Sequence, residues 1–213
     1  MSIIQDKSVL IKRTSINFIN DILSKNSDWK ILDIGCGYRA NNYASVIADV
    51  KDLSDFYKNK EFIKIKDKTL PFKDKEFDFV IASHVIEHVE DLDFFIKELE
   101  RISSKGYIEL PSRLGDNLVF ENSTDHIWWF VYDDIKNLII ASKRNQLIEP
   151  FTNVSTAKKL EEVFRESLVI ELEWKEKIDY KIDDKIKNEN FAKISFIKLI
   201  KKYFSKKIRG FFK

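Results

Sequence analysis

The 213 residues include one cysteine, three histidines, three prolines and five glycines. A single thiol, Cys36, excludes an internal disulfide and with it a disulfide-stapled secreted fold. No stretch of about 18 uncharged apolar residues occurs, so no transmembrane helix is expected. Charges at Asp6, Lys7, Lys12, Arg13, Asp21 and Lys25 interrupt the first thirty residues, which lack the apolar centre of a signal peptide. The expected compartment is the cytoplasm. No internal repeat is present.

Hydrophobic residues make up 44% and charged residues 34%, enough to bury a core and exclude wholesale disorder. The length suits one domain with a short appendage. A net charge of +2 hides an asymmetry: residues 190–213 hold eight Lys or Arg and no acid, leaving 29 basic against 35 acidic residues elsewhere. A mildly acidic body with a basic tail argues against a nucleic-acid-binding body.

Apolar spacing from Val9 to Leu23 predicts an N-terminal helix within residues 1–26. Short apolar runs at 29–34, 44–49, 62–65, 77–82 and 106–110 predict strands, and Leu92–Ile102 predicts an amphipathic helix. Strands alternating with helical stretches imply parallel pairing in an α/β sandwich. Beyond Pro111, residues 127–132 and 138–141 read as a hairpin, 155–166 as a helix, and 168–174 as a half-exposed strand. The expected organisation is a domain over 1–185, with a cofactor-binding core at 29–111 and a substrate or lid region at 112–185. A polar linker over 181–190 then leads to a separate C-terminal helix over 190–213.

The first strand ends in Asp33-Ile-Gly35-Cys-Gly37. A strand turning through two glycines lets a ligand approach the backbone, at the edge where open parallel sheets bind ligands. Gly35 to Ala40 also fits the spacing of dinucleotide binders, but Asp33 would repel a pyrophosphate and could instead receive an ammonium. Asp49, sixteen residues on, ends the second strand and can accept both hydroxyls of a ribose. Ribose, a cationic amino acid and no phosphate describe S-adenosylmethionine.

At these residues the chain resembles the class I S-adenosylmethionine-dependent methyltransferases, and within them the group called type 11. The resemblance rests on Ile31-Leu-Asp-Ile-Gly-Cys-Gly37, on Leu70-Pro-Phe72 followed by residues 77–89, and on residues 105–111, and covers about 29–111. It implies a Rossmann-like fold with a mostly parallel seven-stranded sheet and helices on both faces. It implies a methionine contact at Asp33, Gly35, Cys36 and Gly37, and a ribose contact at Asp49. Asp67 and Leu70 would lie by the adenine, and Ser83 and His84 would face the sulfonium. S-adenosylhomocysteine would be the product. Arg39 stands where the family usually has a third glycine. The stretch between Gly37 and the second strand is too short for an ordinary crossover helix, so that helix is expected to shrink to a turn.

His84 and His126 are the candidates for a general base, since imidazole takes a proton near neutral pH. A neighbouring carboxylate could orient His126. His84 and His88 are four apart, but Glu87 is wrongly placed for His-Glu-x-x-His and no cysteine helps, so no metal site is expected. Trp128 and Trp129 are candidate substrate contacts, one of them stacking on a sugar or other flat ring. The tail reads as a basic amphipathic helix able to lie on an anionic membrane surface, such as the inner face of the membrane. The expected activity is O-methylation of a hydroxyl on a cell-surface saccharide or lipid-linked glycan precursor. The alternatives are methylation of a small metabolite or quinone-like lipid, and a non-catalytic scaffold. Nucleic acid is not expected as a partner.

Overall fold

Strand Phe79–Ser83 shows how the layers arise. Phe79 and Ile81 point to one face of the sheet and Val80 and Ala82 to the other, and all four are buried. A strand buried on both faces reads as a continuous apolar run, as a parallel strand covered on two sides must. The computed structural model describes residues 10–183 and 194–211.

In chain order the elements begin with β1 (Ile11–Arg13), α1 (Ile16–Ser24), β2 (Ile31–Ile34), β3 (Val46–Asp49), β4 (Glu61–Lys64) and β5 (Phe79–Ser83). A 3-10 turn (Ile86–His88) leads into α2 (Leu92–Ile102), followed by β6 (Lys105–Pro111), α3 (Arg113–Leu118) and α4 (Asn122–Asp125). Then come β7 (Trp128–Asp133), β8 (Leu138–Lys143), α5 (Val154–Leu168), β9 (Val169–Lys175), β10 (Tyr180–Ile182) and α6 (Phe196–Phe211). The main sheet has seven strands in the order β1-β9-β6-β5-β2-β3-β4. Strands β4, β3, β2, β5 and β6 are parallel, and β9 runs antiparallel between β6 and β1. This is the expected mostly parallel α/β sheet. Helix α1 covers one face through Ile19 and Leu23, and α2 covers the other through Leu92, Ile96, Leu99 and Ile102. Asp91 caps α2 by accepting the amide of Phe94, which fixes its start where the periodicity placed it.

Two local expectations are corrected. The predicted N-terminal helix is shorter: Ile11–Arg13 is a strand paired with β9, and the helix begins at Ile16, after Ser15 accepts the amide of Phe18. A serine cap there breaks the apparent helical run. Strand β9 is mostly buried, since Ile170, Leu172 and Trp174 pack into the same core as α2 while β1 pairs along its outer edge. The hairpin β7–β8 forms as expected, turning at Asn137 with φ +50°, but it leaves the main sheet and joins β10 in a sheet of three. Its inner residues, Phe130, Tyr132 and Ile139, pack into the same core as α2.

The connection from β2 to β3 contains turns and no helix. The tail helix is present over Phe196–Phe211; the expected linker over 184–190, and tail residues 191–193, 212 and 213, lie outside the described residues.

Candidate active site

The carboxyl end of the parallel strands carries two adjoining clefts of about 620 and 680 Å³. Gly35, Gly37 and His84 line both. Backbone geometry explains the glycines. Gly35 has φ +69°, and a Cβ there would sit 2.4 Å from a methyl of Val85. Gly37 has φ +53° with nothing within 4 Å of its missing Cβ, so it combines a left-handed turn with open approach.

Asp33 ends up 3% exposed under this turn. Its Oδ2 accepts the amide of Asn41 at 2.6 Å, while Oδ1 is buried without a partner. Burial raises its pKa to about 7; the Asn41 hydrogen bond and Lys60 oppose this, and the charges of Asp49 and Glu109 add to it. A buried acceptor lacking a donor is costly, and an ammonium would satisfy it. Asp49 accepts the amides of Gly37 at 3.0 Å and Lys51 at 2.8 Å, which aims its carboxylate along the first cleft. Asp67 and Leu70 line the same cleft. Leu70 is fixed from α2: Glu98 accepts its amide at 2.7 Å, and Arg101 donates to the carbonyls of Leu70 and Phe72. Cys36 lies beside Tyr57 in the second cleft, and burial pushes its thiol up to about 12, away from nucleophilic chemistry. Ser83 lines that cleft as well. All the proposed cofactor positions therefore converge on the two clefts, which fit an adenosyl group bearing a cationic amino acid.

The proposed bases fare differently. His84, at φ +54°, is held between Glu87 (3.2 Å) and Glu109 (3.0 Å). Burial alone would lower its pKa, but the two carboxylates outweigh burial and hold it up at about 10. An imidazolium cannot accept a proton, so His84 is corrected from base to fixed cation. Burial would raise Glu109, yet His84 and Arg165 hold it down at about 2. His126 lines neither cleft; its side chain is 7% exposed and its Nδ1 is 2.5 Å from Asp116 Oδ1. The orienting carboxylate is thus Asp116, ten residues upstream, which also accepts Trp129 Nε1 and Arg144 Nε. The Asp125 side chain bonds Thr124 instead.

Trp128 and Trp129 are also corrected. They are 5% and 2% exposed, and their indole N–H groups bond the Val89 carbonyl and Asp116. Both are core residues of the small sheet, with no free face for a sugar. Sequence reasoning missed Asp116, Glu109 and Arg165. The available signal was weak: two acids and an arginine, partnered through tertiary contacts.

Comparison with known proteins agrees with this geometry. The family described as "Methyltransferase domain" matches residues 32–108. The ubiquinone biosynthesis O-methyltransferase of Pelagibacter ubique (strain HTCC1062) is 32% identical over 130 residues, covering 52% of this chain and 54% of that protein. The chain therefore spans about half the length of that curated relative. Among solved structures, the PH0226 protein from Pyrococcus horikoshii OT3 gives a TM-score of 0.43 at 17% identity, covering 75% of this chain and 88% of that one. An S-adenosylmethionine dependent methyltransferase from Mesorhizobium loti gives 0.36 at 16%, covering 42% and 50%. Residues 32–108, which carry the glycine turn and strands β3 to β5, are thus the part of the chain that is similar to a methyltransferase domain.

Proposed function

We propose that this chain transfers a methyl group from S-adenosylmethionine to a hydroxyl of a small, hydroxylated, quinone-like lipid. The observation that carries the donor half is the buried, unpartnered Oδ1 of Asp33 beneath the glycine turn, with Asp49 at the next strand end. Asp33 would take the ammonium and Asp49 the ribose, with Leu70 and Asp67 beside the adenine. Ser83 and the His84 cation would border the reacting end. The donor supplies an electrophilic methyl on a sulfonium. The chain's own residues hold the two reactants in line and exclude water, and positioning of this kind supplies much of such a rate enhancement.

The acceptor half rests on two supports. The first cleft is apolar along Ile65, Val85, Val89, Phe94 and Phe95, and the Pelagibacter relative is an O-methyltransferase of ubiquinone biosynthesis. The saccharide acceptor loses its motivation once both tryptophans are buried, so the lipid reading is preferred. Helix α6 exposes Ile197, Tyr203, Phe204 and Ile208 among lysines, which suits an enzyme that meets its acceptor at an anionic membrane surface.

The test is a methylation assay with isotopically labelled S-adenosylmethionine against polyhydroxylated prenyl-phenols, short catechols and lipid-linked sugars. Label in the phenolic lipids is the expected result. Label only in the sugars would restore the glycan reading, and binding of donor without transfer to any acceptor would favour a scaffold.

A further inference from the structure

At the rim of the first cleft, one cluster joins the 3-10 turn after β5 to the loop before β7. A carboxylate oxygen of Glu87, a ring nitrogen of His88 and a ring nitrogen of His126 lie within 4.8 Å of one another. Glu87 is fully buried, and its Oε2 has no hydrogen-bond partner. The two imidazoles meet edge to face, with ring centres 4.6 Å apart. Each Nδ1 already has a partner: His88 Nδ1 is 2.9 Å from the Asp125 carbonyl, and His126 Nδ1 is 2.5 Å from the Asp116 carboxylate. A carbonyl can only accept, so Nδ1 of His88 carries the proton and its lone pair lies on Nε2. The Asp116 carboxylate sets the same tautomer in His126. An imidazole oriented in this way by a second oxygen is the usual outer support of a metal-bound histidine. Asp116 is in turn fixed by Trp129 and Arg144, so the support is rigid.

We propose that Glu87, His88 and His126 bind a divalent transition metal such as Zn²⁺, with its open coordination positions toward the first cleft. Two imidazoles and one carboxylate suit zinc, cobalt or iron and not the harder Mg²⁺. His88 and the backbone carrying Asp125 border the first cleft, which puts the open side of the metal where an acceptor hydroxyl would lie. The sequence sets aside a metal pair at His84 and His88 and predicts no metal site; in the proposed site the second histidine is His126, from the loop before β7.

The catalytic half of this inference rests on the methyl-transfer reading; the metal-binding half does not. The acceptor oxygen would coordinate the metal and release its proton to solvent. That oxygen would then form the new O–CH₃ bond as the S–CH₃ bond breaks, the departing electron pair remaining on sulfur. A metal that lowers the pKa of a bound hydroxyl would make a general base at that hydroxyl unnecessary.

The experiment uses the full chain, freed of metal by chelation and dialysis. Zn²⁺ and Mg²⁺ are titrated by calorimetry, and Co²⁺ is followed by its visible absorption. The expected result is one Zn²⁺ per chain, no response to Mg²⁺, and cobalt bands in the wild type that vanish in His88→Asn and His126→Asn. Asp116→Asn should weaken Zn²⁺ by about 10- to 100-fold. Because His88 is exposed, its variant is expected to fold, and circular dichroism checks this. Folded wild type that binds no Zn²⁺, or binding undiminished by both histidine variants, would overturn the site. If Zn²⁺ binds and methylation is unchanged by chelation, the catalytic half falls and the site remains. If Zn²⁺ binds and S-adenosylmethionine does not, the methyl-transfer reading fails by itself.

Discussion

At Asp33 one carboxylate links stability to binding. Burial is the main cause of its raised pKa of about 7, opposed by the Asn41 amide and Lys60 and assisted by Asp49 and Glu109. The ligand-free folded state therefore holds a proton that the unfolded chain gives up near pH 4. Stability from this group declines as pH rises from about 4 to 7 and is level above that. A ligand ammonium needs the ionised form, so donor affinity should rise from pH 6 to 8. Asp33→Asn keeps the acceptor for Asn41 and removes the charge. It should weaken S-adenosylmethionine by about 10-fold or more, flatten the pH dependence, and leave thermal stability above pH 7 unchanged or raised. Calorimetry and melting at pH 6, 7 and 8 measure all three, and an unaltered affinity would remove Asp33 from the site. The two glycines separate in the same way. Gly35→Ala combines a positive φ with a 2.4 Å approach to Val85 and should cost about 2 kcal/mol or more of stability. Gly37→Ala carries only the backbone penalty, about 1 kcal/mol, and its main effect should be on ligand affinity, because its missing Cβ faces open space.

Among the elements, α2 does more than cover the sheet. Its outer edge carries Glu98 and Arg101, which grip the loop holding Leu70 through one amide and two carbonyls. Arg101→Ala should destabilise the domain by about 1–3 kcal/mol and weaken adenosine-containing ligands. Methionine-side contacts at Asp33 would remain, so S-adenosylhomocysteine affinity should fall further than that of a fragment lacking adenine. What was legible in the sequence follows the same division. Helix α2 and the parallel strands were readable because their apolar spacing is set locally by one or two packed faces. Strand β1 was not, since three residues show no period and its pairing with β9 spans the chain. The glycine turn and the acids at the strand ends were readable because the chemistry sits in consecutive residues. The environments of His84 and His126 were not: Glu109 and Asp116 reach them only through the sheet register and the packing of α3 beside β7.

In the whole molecule, the glycine turn lies between two adjoining open clefts. The connection from β2 to β3 places no helix over the glycine turn, while α5 lines the second cleft through Lys158, Glu161, Glu162 and Arg165. Helix α6 is attached through a short paired stretch at Leu147, Glu149 and Ile194 and by Phe151 stacked on Phe196. Beyond that, Ile197, Leu199, Ile200, Tyr203, Phe204 and Ile208 are exposed. The chain should sediment with vesicles containing anionic lipid, less so as salt rises, and removal of 190–213 or Phe204→Glu should abolish the effect. Equal partition with and without the tail would assign the helix another role.

The glycine turn and the two strand-end acids would together hold S-adenosylmethionine. Calorimetric titration of the donor and of S-adenosylhomocysteine into the wild type, Asp49→Ala and Asp33→Asn tests it most directly. Micromolar binding to the wild type, weakened in both variants with the fold retained, is the expected result. Folded wild type that binds neither ligand at millimolar concentration would contradict it.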